Sequence, residues 1–317
     1  MMSRVFSGLR QRYKDAQIHF ISSPEACSLL QNSHWVDKII PYRAPWCFKS
    51  GFFQSIVLFV NMAIELTKAQ YDIAIDFQGD PRGCALLYAS RIPYRFSTRD
   101  FGASAFCSKT WNFPKSIQHQ LLRYEFLFQK ATGTTLPPFI SPSWPSQGNN
   151  TASNNYDVKK TILIHPGASS TKRQWSTEFF AAVIKECIKK NYSIKLIGGP
   201  GDKTILESIC KCCCDEIDFV IPTFFMLEAF LLQADCIVCN DSFMSHVAWA
   251  SNKKAVILFG PGNPHQVAPF TGANTVVWNN QVLHAPFKEW TGPVSVNNTS
   301  PSTVLAEVQK HLEGPTC

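Results

Sequence analysis

The run of residues 235–246 joins an apolar stretch to a group of polar side chains. Asn240, Asp241 and Ser242 follow the apolar stretch directly, and His246 comes one helical turn later. Asn, Asp and Ser are typical of turns and of helix N-caps. The free N–H groups at the start of a helix favour an anion, typically a phosphate. The run therefore predicts an anion site, with simple capping of a helix by Asp241 or Ser242 as the alternative.

A strand–turn–helix–strand unit must position these side chains. The apolar, β-prone residues 235–239 predict a buried strand, and the helical spacing of Met244 and Val247 predicts a helix. A second apolar run, residues 255–259, ends in a Gly/Pro loop. This is a βαβ unit with polar groups at the carboxyl edge of a parallel sheet, where ligands bind in open α/β sheets.

Three more loops of the second half follow predicted strands, namely residues 165–175, 198–202 and 259–264. In a doubly wound sheet such loops meet along one edge. They supply glycine N–H groups, Lys172, Arg173 and Asp202. Cations and helix N-termini suit a diphosphate, and a carboxylate could accept hydrogen bonds from ribose hydroxyls. The loops together predict a nucleotide pocket, although Lys172 and Arg173 taken singly fit a solvated surface and His246 a packed helix.

The length of 317 residues predicts two domains. Residues 136–158 have the Pro, Asn, Ser and Thr content of a linker between a first domain, residues 1–135, and a second, residues 159–317. Strands and helices alternate in the second domain, which predicts a doubly wound α/β sheet. The first domain opens on a helix rather than a strand, so an opening strand and its loop are expected to be absent.

The net charge of +7 lies entirely in the first half. Residues 1–150 hold 16 Lys and Arg against 9 Asp and Glu, whereas residues 151–317 hold 14 of each kind. This suits an anionic partner, namely an acidic lipid, a phosphorylated sugar or nucleic acid, with a solvated basic surface as the alternative. The longest apolar run, residues 52–66, is shorter than the roughly 18 residues of a membrane span. Its helical face predicts core packing, with a membrane-surface role as the alternative.

The twelve cysteines are expected to be reduced, because Cys236 and Cys239 fall on a predicted buried strand. The cluster of Cys210, Cys212, Cys213 and Cys214 has no second ligand pair nearby, so a metal site is not expected there.

Four segments resemble glycosyltransferase family 9, the bacterial ADP-heptose:lipopolysaccharide heptosyltransferases. They are HPGASSTKRQW (residues 165–175), GGPGD (198–202), NDSFMSHVAWA (240–250) and LFGPGNP (258–264). The first half agrees more loosely, for example in YDIAIDFQGDPRG (71–83). The resemblance implies a GT-B architecture, with two Rossmann-like domains facing a cleft and the first strand of the N-terminal domain missing.

The resemblance also implies the reaction, a metal-independent and inverting transfer of heptose from ADP-heptose to the lipopolysaccharide inner core. It implies no cofactor and no nucleic-acid partner. The acceptor would be an acidic lipid. The protein would lie in the cytoplasm, with the inner face of the inner membrane as an alternative position.

By position in the motifs, the resemblance assigns donor binding to Gly167, Ala168, Lys172, Arg173, Asp202, Asp241, Ser242 and His246. Within this set, Asp241, Ser242 and His246 would lie at the diphosphate and donor sugar, and Asp202 at the nucleoside. Acceptor binding is assigned to Gln78 and Arg82.

Three departures from the family pattern bear on activity. Phe243 stands where the family usually has glycine. The phosphate-binding cation corresponds to Arg173 when it is counted back from Trp175, and to Lys172 when it is counted forward from His165. In the family, the catalytic Asp lies in the loop after the first strand. That strand and its loop are expected to be absent here, so no catalytic residue is assigned in this chain. The alternatives are a non-catalytic nucleotide-sugar-binding protein and a GT-B transferase that uses another sugar nucleotide.

Overall fold

A computed structural model describes residues 2–28, 30, 33–47, 51–99, 102–136, 159–214 and 216–314. The chain divides into two compact units, Met2–Pro138 and Phe139–Cys317. The predicted linker, residues 136–158, lies outside the described residues apart from Leu136.

The first unit is built from short parallel strands and helices. Its strands are β1 (His19–Ser22), β2 (Lys38–Pro41), β3 (Ile73–Ile75), β4 (Tyr94–Thr98) and β5 (Lys109–Trp111). Its helices are α1 (Ser3–Arg12), α2 (Pro24–Ser28), α3 (Phe52–Lys68), α4 (Pro81–Ala89) and α5 (Gln120–Thr132). In the described residues the strands form two separate parallel sheets, β1-β2 and β3-β4-β5. A hydrogen bond of 2.6 Å between His19 Nδ1 and the Tyr71 hydroxyl links the start of β1 to the residues before β3.

The prediction that the face of α3 formed by residues 52, 53, 56, 57, 60, 63 and 64 packs in the core is wrong for most of these positions. Phe52 and Phe53 are 75% and 82% exposed. Of the predicted face, Ala63 packs toward the core, together with Phe59, Met62 and Leu66 from outside that face. This helix is apolar over most of its circumference, so the sequence pattern could not decide which apolar side is buried.

The second unit contains most of the core. Its strands are β6 (Thr161–His165), β7 (Ser193–Ile197), β8 (Phe219–Val220), β9 (Cys236–Asn240), β10 (Ala255–Phe259), β11 (Asn274–Trp278) and β12 (Gln281–Leu283). Its helices are α6 (Thr177–Lys189), α7 (Lys203–Cys212), α8 (Phe224–Gln233), α9 (Phe243–Ala250), α10 (Pro264–Val267) and α11 (Pro301–Glu313). Hydrophobic clusters cover both faces of the sheet, as expected for parallel strands buried on both sides.

Within the described residues the strands of this unit pair in the order β12-β11-β10-β9-β6-β7-β8. All pairs are parallel except β11 with β12. The chain starts at β6, moves outward through β7 and β8, and then returns to the other side of β6 as β9. The order therefore reverses between β6 and β9, which is where doubly wound sheets open a crevice for ligands.

Cys236 and Cys239 are free thiols that lie fully buried in β9, which confirms that this strand is buried. In the cluster at the end of α7, Cys210 and Cys213 are buried, Cys212 is partly buried and Cys214 is exposed. Among the described helices, none has the length and apolar content to cross a membrane.

Candidate functional site

The loops that follow β6, β7, β9 and β10 lie at one edge of the second unit, as the sequence predicts. These four strands are neighbours in the sheet and run parallel, so their carboxyl ends share that edge. The loop after β6 and the turn after β9 flank the reversal of strand order. Polar side chains from both segments meet at this point.

Asn240, the last residue of β9, fixes the loop after β6 at both of its ends. Its Nδ2 donates a hydrogen bond of 2.7 Å to the carbonyl of Pro166. Its Oδ1 accepts one of 3.2 Å from the backbone N–H of Trp175. Asn240 is fully buried, so this amide replaces water for two backbone groups of the loop.

Trp175 anchors the same loop on its other side. The indole is 1% exposed and its Nε1 donates a hydrogen bond of 2.9 Å to the carbonyl of Thr299. Ser176 then caps α6 by accepting from the N–H of Phe179. The loop is therefore held at its end by a buried ring and a helix cap. Its middle carries Lys172 and Arg173.

Arg173 contacts the turn after β9, whereas Lys172 does not. The Nη1 of Arg173 lies 3.4 Å from Asp241 Oδ2 and 3.3 Å from the carbonyl of Asp241, and its Nη2 donates to Ser169. Lys172 is exposed and has no ion pair among the residues that the structure describes. The geometry thus brings Arg173 to the crevice between β6 and β9.

Asp241 is a buried carboxylate, 4% exposed. Burial raises the pKa of Asp241, and the nearby Arg173 guanidinium partly opposes that shift. The loop after β10 also lies against this side chain, because a Cβ on Gly262 would come within 2.4 Å of Asp241 Oδ2. Asp241 is therefore enclosed by the loop after β6 on one side and the loop after β10 on the other.

Neither Asp241 nor Ser242 caps α9 with its side chain. Ser242 occupies the N-cap position without a side-chain cap hydrogen bond, and its hydroxyl is buried with no partner among the described residues. A buried hydroxyl without a partner carries a desolvation cost that a ligand could relieve. The geometry thus favours an anion site at the start of α9 over simple capping.

Two more predicted features lie on α9. His246 is partly buried one turn into the helix. Phe243, the first residue of the helix, is 40% exposed. Its ring therefore lies at the surface beside the anion site, where the family pattern has no side chain.

Asp202 closes the space between the loops after β6 and β7. Its Oδ2 accepts a hydrogen bond of 2.8 Å from the N–H of Gly199 and lies 3.9 Å from Nε2 of His165. A Cβ on Gly167 would lie 2.2 Å from Asp202 Oδ2, so a side chain at position 167 would displace the Asp202 carboxylate from this position. Burial lowers the pKa of His165, so this ring is neutral at neutral pH and offers Asp202 little charge compensation.

Ala168 follows Gly167 and is partly buried, and its carbonyl accepts a hydrogen bond of 3.3 Å from Gln174 Nε2. Gly167 and Ala168 thus form the first turn of the loop that carries Lys172 and Arg173. The structure gathers the predicted donor residues into two groups. Arg173, Asp241 and Ser242 form one, and Gly167 and Asp202 form the other.

The two predicted acceptor residues belong to the first unit, with Gln78 in the loop between β3 and α4 and Arg82 in the first turn of α4. Gln78 is exposed, and its N–H donates to Asp76 Oδ1 over 3.3 Å. Arg82 pairs with Asp80 through Nε–Oδ1 at 2.9 Å and Nη2–Oδ2 at 2.7 Å. Its guanidinium also lies 5.6 Å from the ring centroid of Trp46.

The sequence placed Asn240, His165 and Gly262 in the loops of the predicted pocket but did not assign a role to any of them. Asn240 looked like a turn residue, and its role depends on partners 65 and 74 positions away. Gly262 stood out only as part of a Gly/Pro loop. A useful signal was available for Asn240, because a polar amide that ends a fully apolar strand is buried and must find partners.

Comparison with known proteins agrees with this architecture. The family model described as glycosyltransferase family 9 (heptosyltransferase) matches residues 60–292. The Campylobacter coli protein named lipopolysaccharide heptosyltransferase 1 is 24% identical over 303 residues, which cover 86% of this chain and 83% of that protein.

Two solved structures from E. coli share the fold over almost the whole chain. ADP-heptose lps heptosyltransferase II aligns with a TM-score of 0.76 and 21% identity, covering 98% of this chain and 94% of that one. Heptosyltransferase WaaC with ADP-2-deoxy-2-fluoro heptose aligns with a TM-score of 0.72 and 16% identity, covering 97% and 94%. These likenesses confirm the predicted α/β fold class of GT-B type. Because the family model spans well over half of the sequence, the chain belongs to glycosyltransferase family 9, the heptosyltransferases.

Proposed function

We propose that this protein transfers heptose from ADP-heptose to the inner core of lipopolysaccharide by an inverting displacement that needs no metal ion or other cofactor. The observation that supports this most directly is the arrangement of Arg173 and Ser242 at the start of α9, where a cation and an unpaired hydroxyl face an anion-binding helix terminus. A relative of the same fold has been solved with an ADP-heptose analogue.

The donor diphosphate binds at the start of α9 in this proposal. The Arg173 guanidinium, the Ser242 hydroxyl and the N–H groups of the first turn of α9 donate to its oxygens. Asp241 holds Arg173 in place through its side chain and its carbonyl. His246, one turn further along α9, lies toward the donor sugar.

The nucleoside lies over the loops after β6 and β7. The Asp202 carboxylate accepts hydrogen bonds from ribose hydroxyls, and the backbone of Gly167 and Ala168 lines the approach. Lys172, which is exposed, adds positive charge at the rim. The acidic acceptor binds to Gln78 and Arg82 of the first unit.

In the displacement, a hydroxyl of the acceptor attacks the anomeric carbon of heptose and the bond from that carbon to the ADP oxygen breaks. The hydroxyl proton goes to a base, and negative charge develops on the departing diphosphate. Arg173, Ser242 and the positive end of the α9 dipole stabilise that charge as it forms. The residues of this chain named here therefore act on the leaving-group side of the reaction.

The test measures binding first and transfer second. Calorimetry with ADP, UDP and GDP should show the tightest binding for ADP, and mass spectrometry should show one heptose added to a heptose-free lipopolysaccharide acceptor, with and without EDTA. If UDP or GDP binds as tightly as ADP, the donor assignment is wrong and a GT-B transferase for another sugar nucleotide is favoured. Tight ADP binding without transfer would instead favour a nucleotide-sugar-binding protein.

The proposed location is the cytoplasm, with peripheral contact to the inner face of the inner membrane, where a lipid-anchored acceptor would be met. Cell fractionation tests it. Recovery of the protein only in the periplasm would contradict it.

A further inference from the structure

The outer side of α3 is an apolar stripe that the fold of the first unit leaves uncovered. The stripe consists of Phe52, Phe53, Ile56, Val57, Val60 and Ile64, which are between 45% and 82% exposed. Their spacing places them on one side of the helix. Exposed apolar surface of this extent on a soluble protein marks a contact with a partner or a membrane.

The opposite side of α3 is fully committed to the fold. Phe59, Met62, Ala63 and Leu66 pack with Ile40 and Leu86 in the core of the first unit. The helix is therefore held firmly in place, with its outer stripe turned to solvent. Partial unfolding or repacking is not needed to present the stripe.

The chemistry of the stripe fits acyl chains better than a protein partner. It contains Phe, Ile and Val side chains, which offer no hydrogen-bonding group. Protein interfaces are enriched in Tyr, Trp, Phe, Met and Arg, and of these residue types the stripe holds only its two Phe residues. An apolar helix face flanked by basic residues is the pattern of helices that lie in the surface of a bilayer.

The net positive charge of the first unit favours anionic lipid. Residues 2–138, the first unit, hold 16 Lys and Arg against 9 Asp and Glu. Glu65 is the single carboxylate in the α3 sequence, and Lys38 pairs with it at 3.5 Å. Lys68 lies exposed in the last turn of α3.

A cation also lies near the turn that packs on α3. The short turn Pro45–Cys47 packs against α3, and its Trp46 ring lies 5.6 Å from the guanidinium of Arg82, which is paired with Asp80. A Trp with an adjacent Arg beside an apolar helix is suited to the headgroup region, where an amphipathic ring and a cation both find partners.

We infer that the outer face of α3 docks the protein onto an anionic bilayer, with the helix lying along the surface of one leaflet. Phe52, Phe53, Ile56 and Val57 enter the acyl region, and the basic surface of the first unit faces the lipid phosphates. With 17 residues, α3 is among the described helices that lack the length and apolar content to cross a membrane. The inference rests on the proposed function only in that a lipid-linked acceptor gives the docking a purpose.

The experiment compares two double variants of the full chain in vesicle flotation. Phe53→Ser with Val57→Ser removes two members of the stripe. The matched control, Met226→Ser with Leu232→Ser, removes two exposed apolar side chains from α8 in the other unit, which are 44% and 49% exposed. Vesicles of pure phosphatidylcholine and vesicles with about one third phosphatidylglycerol are used, and ADP binding is measured on the same samples.

The expected result is that the wild type and the α8 control float with the anionic vesicles, while the α3 variant needs about tenfold more lipid for half binding. Equal flotation of all three proteins would overturn the inference. Equal binding to neutral and anionic vesicles would overturn its electrostatic part. A wild type that is dimeric by light scattering, does not float, and becomes monomeric in the α3 variant would show that the stripe binds a second copy of the chain.

The same data separate this inference from the proposed function. If ADP binds but no protein floats, the docking surface is wrong and the donor site stands. If the wild type floats but ADP does not bind, the docking surface stands and the donor assignment fails.

Discussion

The two polar loops assigned to substrates are held in different ways. At the donor edge of the second unit, Arg173 and Asn240 are fixed by partners far away in sequence. Arg173 contacts Asp241, 68 positions away, and Asn240 contacts Pro166, 74 positions away. In the loop between β3 and α4 of the first unit, Arg82 contacts Asp80 and the N–H of Gly79 donates to Asp76, which are two and three positions apart.

This difference follows from what each loop is built on. The donor edge is the meeting point of several parallel strands, so its loops exist in the observed form only when the whole sheet is folded. The β3–α4 loop is held mainly by local contacts, because Asp76 accepts the N–H groups of its own turn and Asp80 caps α4, and one longer contact joins Asp76 to the Ser97 hydroxyl of β4. A rigid edge suits stabilisation of charge in a transition state, which depends on donors that are already oriented.

The largest effect is expected from Asn240→Ala. The substitution leaves the N–H of Trp175 and the carbonyl of Pro166 buried without partners, which should lower the free energy of unfolding by about 2–5 kcal/mol. It should also free the loop that carries Arg173 and weaken ADP binding. Urea unfolding followed by Trp fluorescence measures the first effect, and calorimetry the second.

The matched control for that prediction is Asn112→Ala, since Asn112 is exposed outside any helix or strand. It should change the free energy of unfolding by less than about 0.5 kcal/mol. If Asn240→Ala lowered the free energy of unfolding no more than the control does, the loop after β6 would not depend on its long-range partner.

The next largest effect separates the two adjacent cations. Arg173→Ala should weaken ADP binding about 10- to 100-fold, because a charge-assisted hydrogen bond to the diphosphate is lost. Lys172→Ala should weaken it less than about threefold, since Lys172 is exposed and has no ion pair in the described part of the chain. Lys189→Ala on the exposed side of α6 controls for net charge. If Lys172→Ala weakened ADP binding more than Arg173→Ala, the phosphate contact would be assigned to Lys172 instead.

Asp241→Asn tests the electrostatic basis of the donor edge. Burial raises the pKa of Asp241 above its usual value of 3.8. The charged carboxylate therefore lowers the free energy of unfolding, and we call this decrease the penalty. That penalty is complete above the raised pKa and vanishes as the pH falls below about 3.8. The variant should therefore be more stable than the wild type at pH 7, and the gain should disappear in acid.

The same variant should bind ADP more weakly, by about tenfold or less, because Arg173 loses the charged partner that orients it. Thermal unfolding from pH 3 to 7 together with ADP titration at pH 7 measures both effects. If Asp241→Asn were less stable at pH 7 than the wild type, the attraction of Arg173 would outweigh burial.

Much of the donor edge could be predicted from the sequence because its determinants are local. The predicted bounds of β10, residues 255–259, agree with the structure to the residue, and the loops predicted from residues 165 and 198 begin where β6 and β7 end, since each strand is an apolar run that ends at a Gly or Pro turn. The position of Asp241 and Ser242 after β9 followed from the same reasoning. The contacts that fix these residues did not, because Asn240 and Gly262 act on loops that are distant in sequence.

Two other differences have physical causes. The sequence analysis did not predict β11 and β12, although the turn between them contains Asn279 and Asn280 at φ of 48° and 64°. Consecutive Asn residues at positive φ are a signal for a tight hairpin that could have been used. The buried side of α3 could not be chosen, because the helix has apolar residues on two sides and only packing against Leu86 and Ile40 decides between them.

The smallest effect on stability is expected in the β3–α4 loop. Arg82→Ala removes an exposed ion pair and an exposed ring contact, so the free energy of unfolding should change by less than about 1 kcal/mol. If Arg82 meets the acidic acceptor, the KM for the acceptor should rise about threefold to tenfold while the KM for the donor stays constant, with Arg99→Ala as the control for lost charge. The comparison between the two loops would fail if Arg82→Ala destabilised the protein as much as Asn240→Ala, because a self-contained loop should lose its ligand contact without loss of the fold.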